Sequence, residues 1–139
     1  MAMMRNEDRA WIRARLAAWG IWVNMAETLP PRARLRTGGG DYVGDERDNE
    51  DTNHAVIVLR KYYPGQAALL NYLYVPDADG RTASMREVLE HPGKCSRVGC
   101  SHKARLYEMR DAAERNVSFF LMGRRTDRGD MALPAVVGG

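Results

Sequence analysis

The stretch Val98-Gly99-Cys100-Ser101-His102-Lys103-Ala104-Arg105-Leu106-Tyr107-Glu108-Met109-Arg110-Asp111-Ala112-Ala113-Glu114-Arg115 sets the reading of the chain. Val98 and Gly99 suit a tight turn, and Ser101 stands where a helix N-cap belongs. Apolar residues then recur at Leu106, Met109, Ala113, Val117 and Phe120, the spacing of an amphipathic helix that runs to about Met122. Its first turns carry His102, Lys103 and Arg105, so the leading end is polar and positive, as in a helix that enters the major groove of DNA. A capped surface helix shows the same pattern, and both readings stand on these residues alone.

Working outward, the rest of the chain also reads as helix. Asn6 is a cap for a helix over 7–27, with Glu7 and Asp8 in its first turn. Ile12, Leu16, Trp19, Val23 and Ala26 form its apolar stripe, with Trp11, Ala18 and Trp22 beside it, and Gly20 permits a close helix crossing. Three tryptophans on one helix serve either as core or as partner-facing anchors. Pro30-Pro31 stops that helix, and Gly38-Gly39-Gly40 is a hinge with neither a following Gly-Lys-Ser/Thr nor a preceding strand, so it is no phosphate loop. Residues 30–50 are expected to be a linker or mobile loop.

Thr52 or Asn53 is expected to cap the next helix, with Ala55, Val56, Leu59, Tyr62 and Tyr63 on one side. Pro64 suits the first turn of another, with Ala67, Leu70, Leu73 and Tyr74 inward. Asp77-Ala78-Asp79-Gly80 is a turn, and Ser84-Met85-Arg86-Glu87 has capping-box spacing ahead of a short helix that ends at His91-Pro92-Gly93. The expectation is therefore an all-α fold: a small helical domain with a C-terminal helix-turn-helix. Its parts are a Trp-rich helix over 1–28, a flexible linker over 29–53, the helical domain over 54–123 and a loose tail over 124–139.

The 139 residues carry a formal charge of +3, unevenly spread. Residues 5–36 hold seven Arg against three acids, residues 41–54 hold six acids against Arg47, and residues 94–128 hold nine Lys or Arg against four acids. Two basic ends around an acidic middle fit a nucleic-acid or polymerase partner better than an acidic small molecule. No apolar run approaches the length of a membrane span, and the start lacks the apolar core of a signal peptide, so the expected location is the cytoplasm, with no membrane partner.

His91, Cys95, Cys100 and His102 fall within twelve residues and have the chemistry of a tetrahedral zinc site, though not the spacing of a recognised finger. No cofactor is otherwise called for. Catalysis finds little support: no Ser, His and Asp set is legible, and Asp45, Asp48 and Asp51 lack the glycine and terminal Glu of a calcium loop. The chain does not read as an enzyme.

In order, these pieces resemble the phage late-gene antitermination protein Q family, in its compact lambdoid-type branch. Leu16-Ala17-Ala18-Trp19-Gly20-Ile21-Trp22 resembles its opening Leu-x-x-Trp-Gly-x-Trp. The acidic lead-in at Asp48 to Asp51, His54-Ala55-Val56 through Leu59, Tyr63-Pro64 and Leu69-Leu70-Asn71-Tyr72-Leu73-Tyr74 resemble its central helix pair. Val98-Gly99-Cys100-Ser101 with Met109 and Ala112 resembles its helix-turn-helix, itself similar to region 4 of the sigma factors. The likeness covers residues 11–122. Between Tyr74 and Ser101 this chain is longer than the compact pattern, and Pro92-Gly93 fall where the first helix of the motif is continuous. That helix is then either 85–90 followed by an irregular turn, or a short piece at 94–98.

The resemblance implies a transcription regulator that binds double-stranded DNA beside a late promoter and loads onto paused bacterial RNA polymerase, with sigma factor and nascent RNA as further contacts. It would then suppress pausing and termination. Ser101, His102, Lys103, Arg105, Tyr107 and Arg110 would reach bases and phosphates, and Trp11, Trp22, Arg32, Arg34 and Arg36 would serve the polymerase or the RNA. The alternatives are a helix-turn-helix repressor or activator that acts only at initiation, and a polymerase-binding adaptor with no DNA readout of its own.

Overall fold

The computed structural model describes residues 6–28 and 46–127, all-helical with no strand among them. The elements are α1 (Asn6–Thr28), α2 (Glu46–Tyr62), α3 (Pro64–Tyr74), α4 (Met85–Glu90), α5 (Pro92–Val98) and α6 (Lys103–Asp127). Residues 29–45 and 128–139 lie outside the described residues, and with them most of the loop expected over 30–50 and most of the tail expected over 124–139. The two ends of those segments are corrected by helix: α2 begins at Glu46 rather than at a cap on Thr52 or Asn53, and α6 continues to Asp127.

The acidic lead-in is helical because its polar side chains find partners on α1. Asn49, Asp51 and Thr52 are buried within α2, and the Thr52 hydroxyl donates to the Asp48 carbonyl at 2.9 Å. Arg15 donates to the Asp48 carbonyl at 3.1 Å and pairs with its carboxylate at 3.6 Å. The Trp19 indole donates to Asn53 Oδ1 at 3.1 Å, and that of Trp22 to Glu46 Oε2 at 2.9 Å. Charge patterning alone suggests a solvated loop; the tertiary partners override it. Glu46 and Asp48 also lie in the first turn of α2, where carboxylates are favoured.

Two apolar clusters hold the helices. The larger joins Ile12, Leu16 and Trp19 of α1, Ala55, Val56 and Leu59 of α2, Ala67 and Leu70 of α3, and Ala113, Val117 and Leu121 of α6. Helix α1 is thus part of the core. Gly20 allows its close approach to α3, because a Cβ there would collide with the Tyr74 carbonyl. The smaller cluster gathers Leu69 of α3, Met85 and Val88 of α4, Val98 of α5 and Leu106 of α6. Each fully buried leucine contributes about 2 kcal/mol. Tyr62 and Tyr63, expected inward, are exposed instead, because α2 ends there and Pro64 turns the chain into α3.

The connection from α3 to α4 is a built turn. Asp77 Oδ1 accepts from the backbone N–H groups of Asp79 (2.9 Å) and Arg81 (3.0 Å), which hold its carboxyl below the usual range, and Gly80 takes φ +79°. Ser84 caps α4 by accepting from Glu87 N at 3.1 Å. Neither expected register occurs as such: 85–90 is helical but is followed by a second helix rather than an irregular turn, and that helix starts at Pro92 rather than 94. His91 ends α4 by donating its N–H to the Glu87 carbonyl, and it caps α5 with Nδ1 accepting from Lys94 N at 3.3 Å. Pro92, which cannot continue a helix, is well suited to start one. At Gly65 a Cβ would collide with the Val98 carbonyl, so the start of α3 and the end of α5 meet as backbone.

Where α1, α3 and α6 come together, Glu114 is fully buried. Arg13 grips it from α1 with Nε at 2.7 Å from Oε2 and a second N–H at 3.2 Å from Oε1, and the Tyr74 hydroxyl lies 3.4 Å from Oε2. The hydrogen bond to Glu114 makes Arg13 still harder to deprotonate. Burial first, and the Glu114 charge second, push the Tyr74 hydroxyl up to about 12. Replacing Arg13 by Met strands the carboxylate and should cost about 3 kcal/mol, and Glu114→Leu added to that variant should restore part of the loss. Urea unfolding of the wild type, both single variants and the double variant measures the coupling.

The Tyr74 shift also gives a pH dependence. The unfolded chain releases this proton near pH 10 and the folded chain near about 12. The stabilisation is therefore complete below about pH 10 and is lost as the pH rises through about 12. Tyr74→Phe should flatten the alkaline fall in melting temperature across that window while leaving its neutral-pH shape intact.

Candidate nucleic-acid interface

The turn before α6 is made by Gly99, which adopts φ +77° and closes α5 by donating to the Cys95 carbonyl at 2.9 Å. Cys100 N reaches the same carbonyl at 3.4 Å. The first residue of α6 is Lys103, and the His102 carbonyl accepts the first intrahelical bond, from Leu106 N at 2.9 Å. His102 rather than Ser101 therefore flanks the first turn, a shift of one residue from the expected cap.

Residues 101–105 are all exposed, and the first burial on α6 comes at Leu106. The helix end thus projects past the core with its free N–H groups, Ser101, His102, Lys103 and Arg105. These side chains do not form a single stripe. Lys103, Tyr107 and Arg110 follow at helical spacing on one face, whereas Arg105 is roughly 200° around the axis from Lys103. Arg110 is half-buried, with its guanidinium 5.0 Å from the centre of the Tyr107 ring, and lies close enough to Tyr74 to favour its ionised form. It anchors Tyr107 more than it reaches outward. Glu108, exposed on another face, limits the positive surface to the leading end.

Lys94 and Arg97 of α5 were not among the sequence-derived candidates. Arg97 is exposed and donates to the Tyr72 hydroxyl at 3.4 Å, and Lys94 pairs with Glu87 Oε2 at 3.1 Å over the Tyr72 ring. Their spacing of three on one short helix is the signal that marks them.

The other candidates are placed differently. Trp11 and Trp22 are half-buried against the larger cluster, Trp11 beneath the Arg15 guanidinium and Trp22 bonded to Glu46, so both belong to the packing of α1. Arg32, Arg34 and Arg36 lie outside the described residues. His91, Cys95, Cys100 and His102 are not drawn into one centre, and no three His, Cys, Asp or Glu side chains converge among the described residues. His91 Nδ1 caps α5, Cys95 Sγ donates to the Cys100 carbonyl at 2.9 Å, and Cys100 Sγ to the His102 carbonyl at 3.5 Å. No helix among the described residues is long and apolar enough to cross a membrane.

Nothing crowds Gly99, so a side chain there meets open space and is opposed only by the backbone. Gly99→Ala should cost about 1 kcal/mol, and Gly99→Asn less, as read from thermal melts. No family model matches the chain, and neither a curated protein nor a solved structure matches it.

Proposed function

We propose that this protein is a phage transcription antiterminator that binds double-stranded DNA through a helix-turn-helix made of α5, the Gly99 turn and the start of α6, and loads onto paused bacterial RNA polymerase. One observation carries the DNA-binding part. Helices α1, α2 and α4 carry carboxylates in their first turns, whereas α3 carries no charge there and α5 and α6, the two helices of the motif, carry Lys94 and Lys103 and no acid. A cation at a helix N-terminus opposes the helix dipole by about 0.3–1 kcal/mol. The same positive end, with unsatisfied N–H groups and exposed basic side chains, is suited to phosphate. The local cost has a reason if a polyanion occupies this end of the helix.

The recognition set in this reading is His102, Lys103 and Arg105, with Tyr107 held by Arg110 and with Arg97 on the preceding helix as a backbone contact. Arginine and lysine read guanine edges, and the charges at the helix end fix register on the phosphates. The antitermination part rests on the order of the Trp-Gly-x-Trp segment, the central helix pair and the C-terminal motif. Trp11 and Trp22 are half-buried in the packing of α1, and their remaining exposed edges are the part of this helix open to the polymerase in this reading.

Replacing Lys103 and Arg105 together by Ala should weaken binding to late-promoter DNA by roughly 1–3 kcal/mol for each base edge no longer read, and reduce the salt dependence by about one ion for each phosphate no longer neutralised. Unchanged affinity would overturn the interface. In a purified reaction with host polymerase, a late promoter and a downstream intrinsic terminator, read-through should rise only on templates that carry the promoter region. Binding without read-through would leave an initiation regulator, and read-through without DNA affinity a polymerase adaptor.

A further inference from the structure

The two cysteines of the chain, Cys95 and Cys100, are both free and half-buried, and they flank the turn that delivers the chain into α6. The closure of α5 brings the backbones of the two residues together, while the Cys100 thiol donates to the His102 carbonyl at 3.5 Å. Gly99 N and Cys100 N converge on the Cys95 carbonyl at 2.9 and 3.4 Å, and Gly99 supplies the left-handed residue of this arrangement. Helix endings of this kind bring the side chain two residues past the helix back against the one four residues before the left-handed position. Here those positions are Cys100 and Cys95. The return is already visible in the Cys95 thiol, which lies 2.9 Å from the Cys100 carbonyl. The neighbours Ser96, Arg97, Gly99 and Ser101 are exposed, so a small reagent has access.

We propose that Cys95 and Cys100 form a redox-active dithiol, oxidised to an intramolecular disulfide by a low-molecular-weight disulfide of the glutathione class. One thiolate attacks the reagent's S–S bond, forms a mixed disulfide and expels the first thiolate. The second cysteine, as thiolate, then attacks the protein-bound sulfur and expels the second. The protein gives up two protons and two electrons, and the reagent is reduced to two thiols. A disulfide across so short and exposed a turn is readily reversed by excess thiol. The cations of this segment, Lys94, Arg97, Lys103 and Arg105, attract an anionic reagent such as oxidised glutathione. The bond would hold the Gly99 turn closed. It would also replace the thiol–carbonyl hydrogen bond, and so fix the direction in which α6 leaves α5. The chemistry does not depend on what α6 binds.

The test is incubation of the full chain with oxidised glutathione, read by intact mass and free-thiol titration. Free thiols should fall from two per chain to none, with a mass lower by two hydrogens and no change in oligomeric state. Trypsin separates the cysteines at Arg97, so peptides 95–97 and 98–103 should remain joined until reductant is added. Cys95→Ser and Cys100→Ser should each instead accumulate one glutathionyl group. Wild-type protein that retains a glutathionyl group on each cysteine, forms only an interchain disulfide, or keeps both thiols while a small aromatic disulfide titrates them would overturn the proposal. Because the wild-type readout is sufficient, it stands even if a variant fails to fold, and it stands or falls apart from DNA binding.

Discussion

Glu114 is a carboxylate removed from water at the point where three helices meet, and the arrangement of the fold follows from how that charge is satisfied. Arg13 reaches it from α1 with two hydrogen bonds and Tyr74 from the end of α3 with a third, longer one. An apolar side chain at this position would fill the space as well but would set no register. The fork of the guanidinium fixes the rotation of α1 against α6, and the close approach at Gly20 fixes its height against α3. With α1 set, Arg15, Trp19 and Trp22 come into position for the start of α2. An acidic segment that would repel itself in water then becomes the first two turns of a helix.

The second cluster is organised by backbone meetings more than by charge. The Val98 carbonyl lies against Gly65, and His91 serves two helices at once. Leu106 is the first side chain of α6 to enter the core. Everything ahead of it is held out in solvent, which separates the residues that stabilise the fold from those available to a polyanion. Arg110 stands on the boundary, half-buried and stacked on Tyr107.

Helical periodicity was legible wherever burial is decided by a face of one helix: Ile12, Leu16 and Trp19, or Leu106, Ala113 and Val117. Gly20, the Asp77 turn and the Ser84 cap were also legible, since each rests on local stereochemistry. The start of α2 was not, because its stability comes from α1, far away in sequence. Nor was the burial of Glu114, a polar residue within one turn of an apolar one, whose partners no short-range pattern reveals. At the candidate interface, the positive leading end of α6 could be read directly. The shift of the cap to His102, the separation of Arg105 from Lys103 around the helix, and the engagement of Trp11 and Trp22 in packing needed coordinates. So did the local hydrogen bonds of three of the four candidate zinc ligands, His91, Cys95 and Cys100.

The pairing of Arg13 with Glu114 spans 101 positions of chain. At a synthesis rate of roughly 5–20 residues per second, α1 leaves the ribosome about 5–20 s before its partner does. During that interval Ile12, Leu16 and Trp19 have no α6 to cover them. Helices α3 to α6 are near one another in sequence and can assemble as soon as they are made. Newly made chains therefore pass through a state in which α1 can already meet α2 and α3, while Arg13 has no carboxylate to grip and the α6 side of the larger cluster stays open.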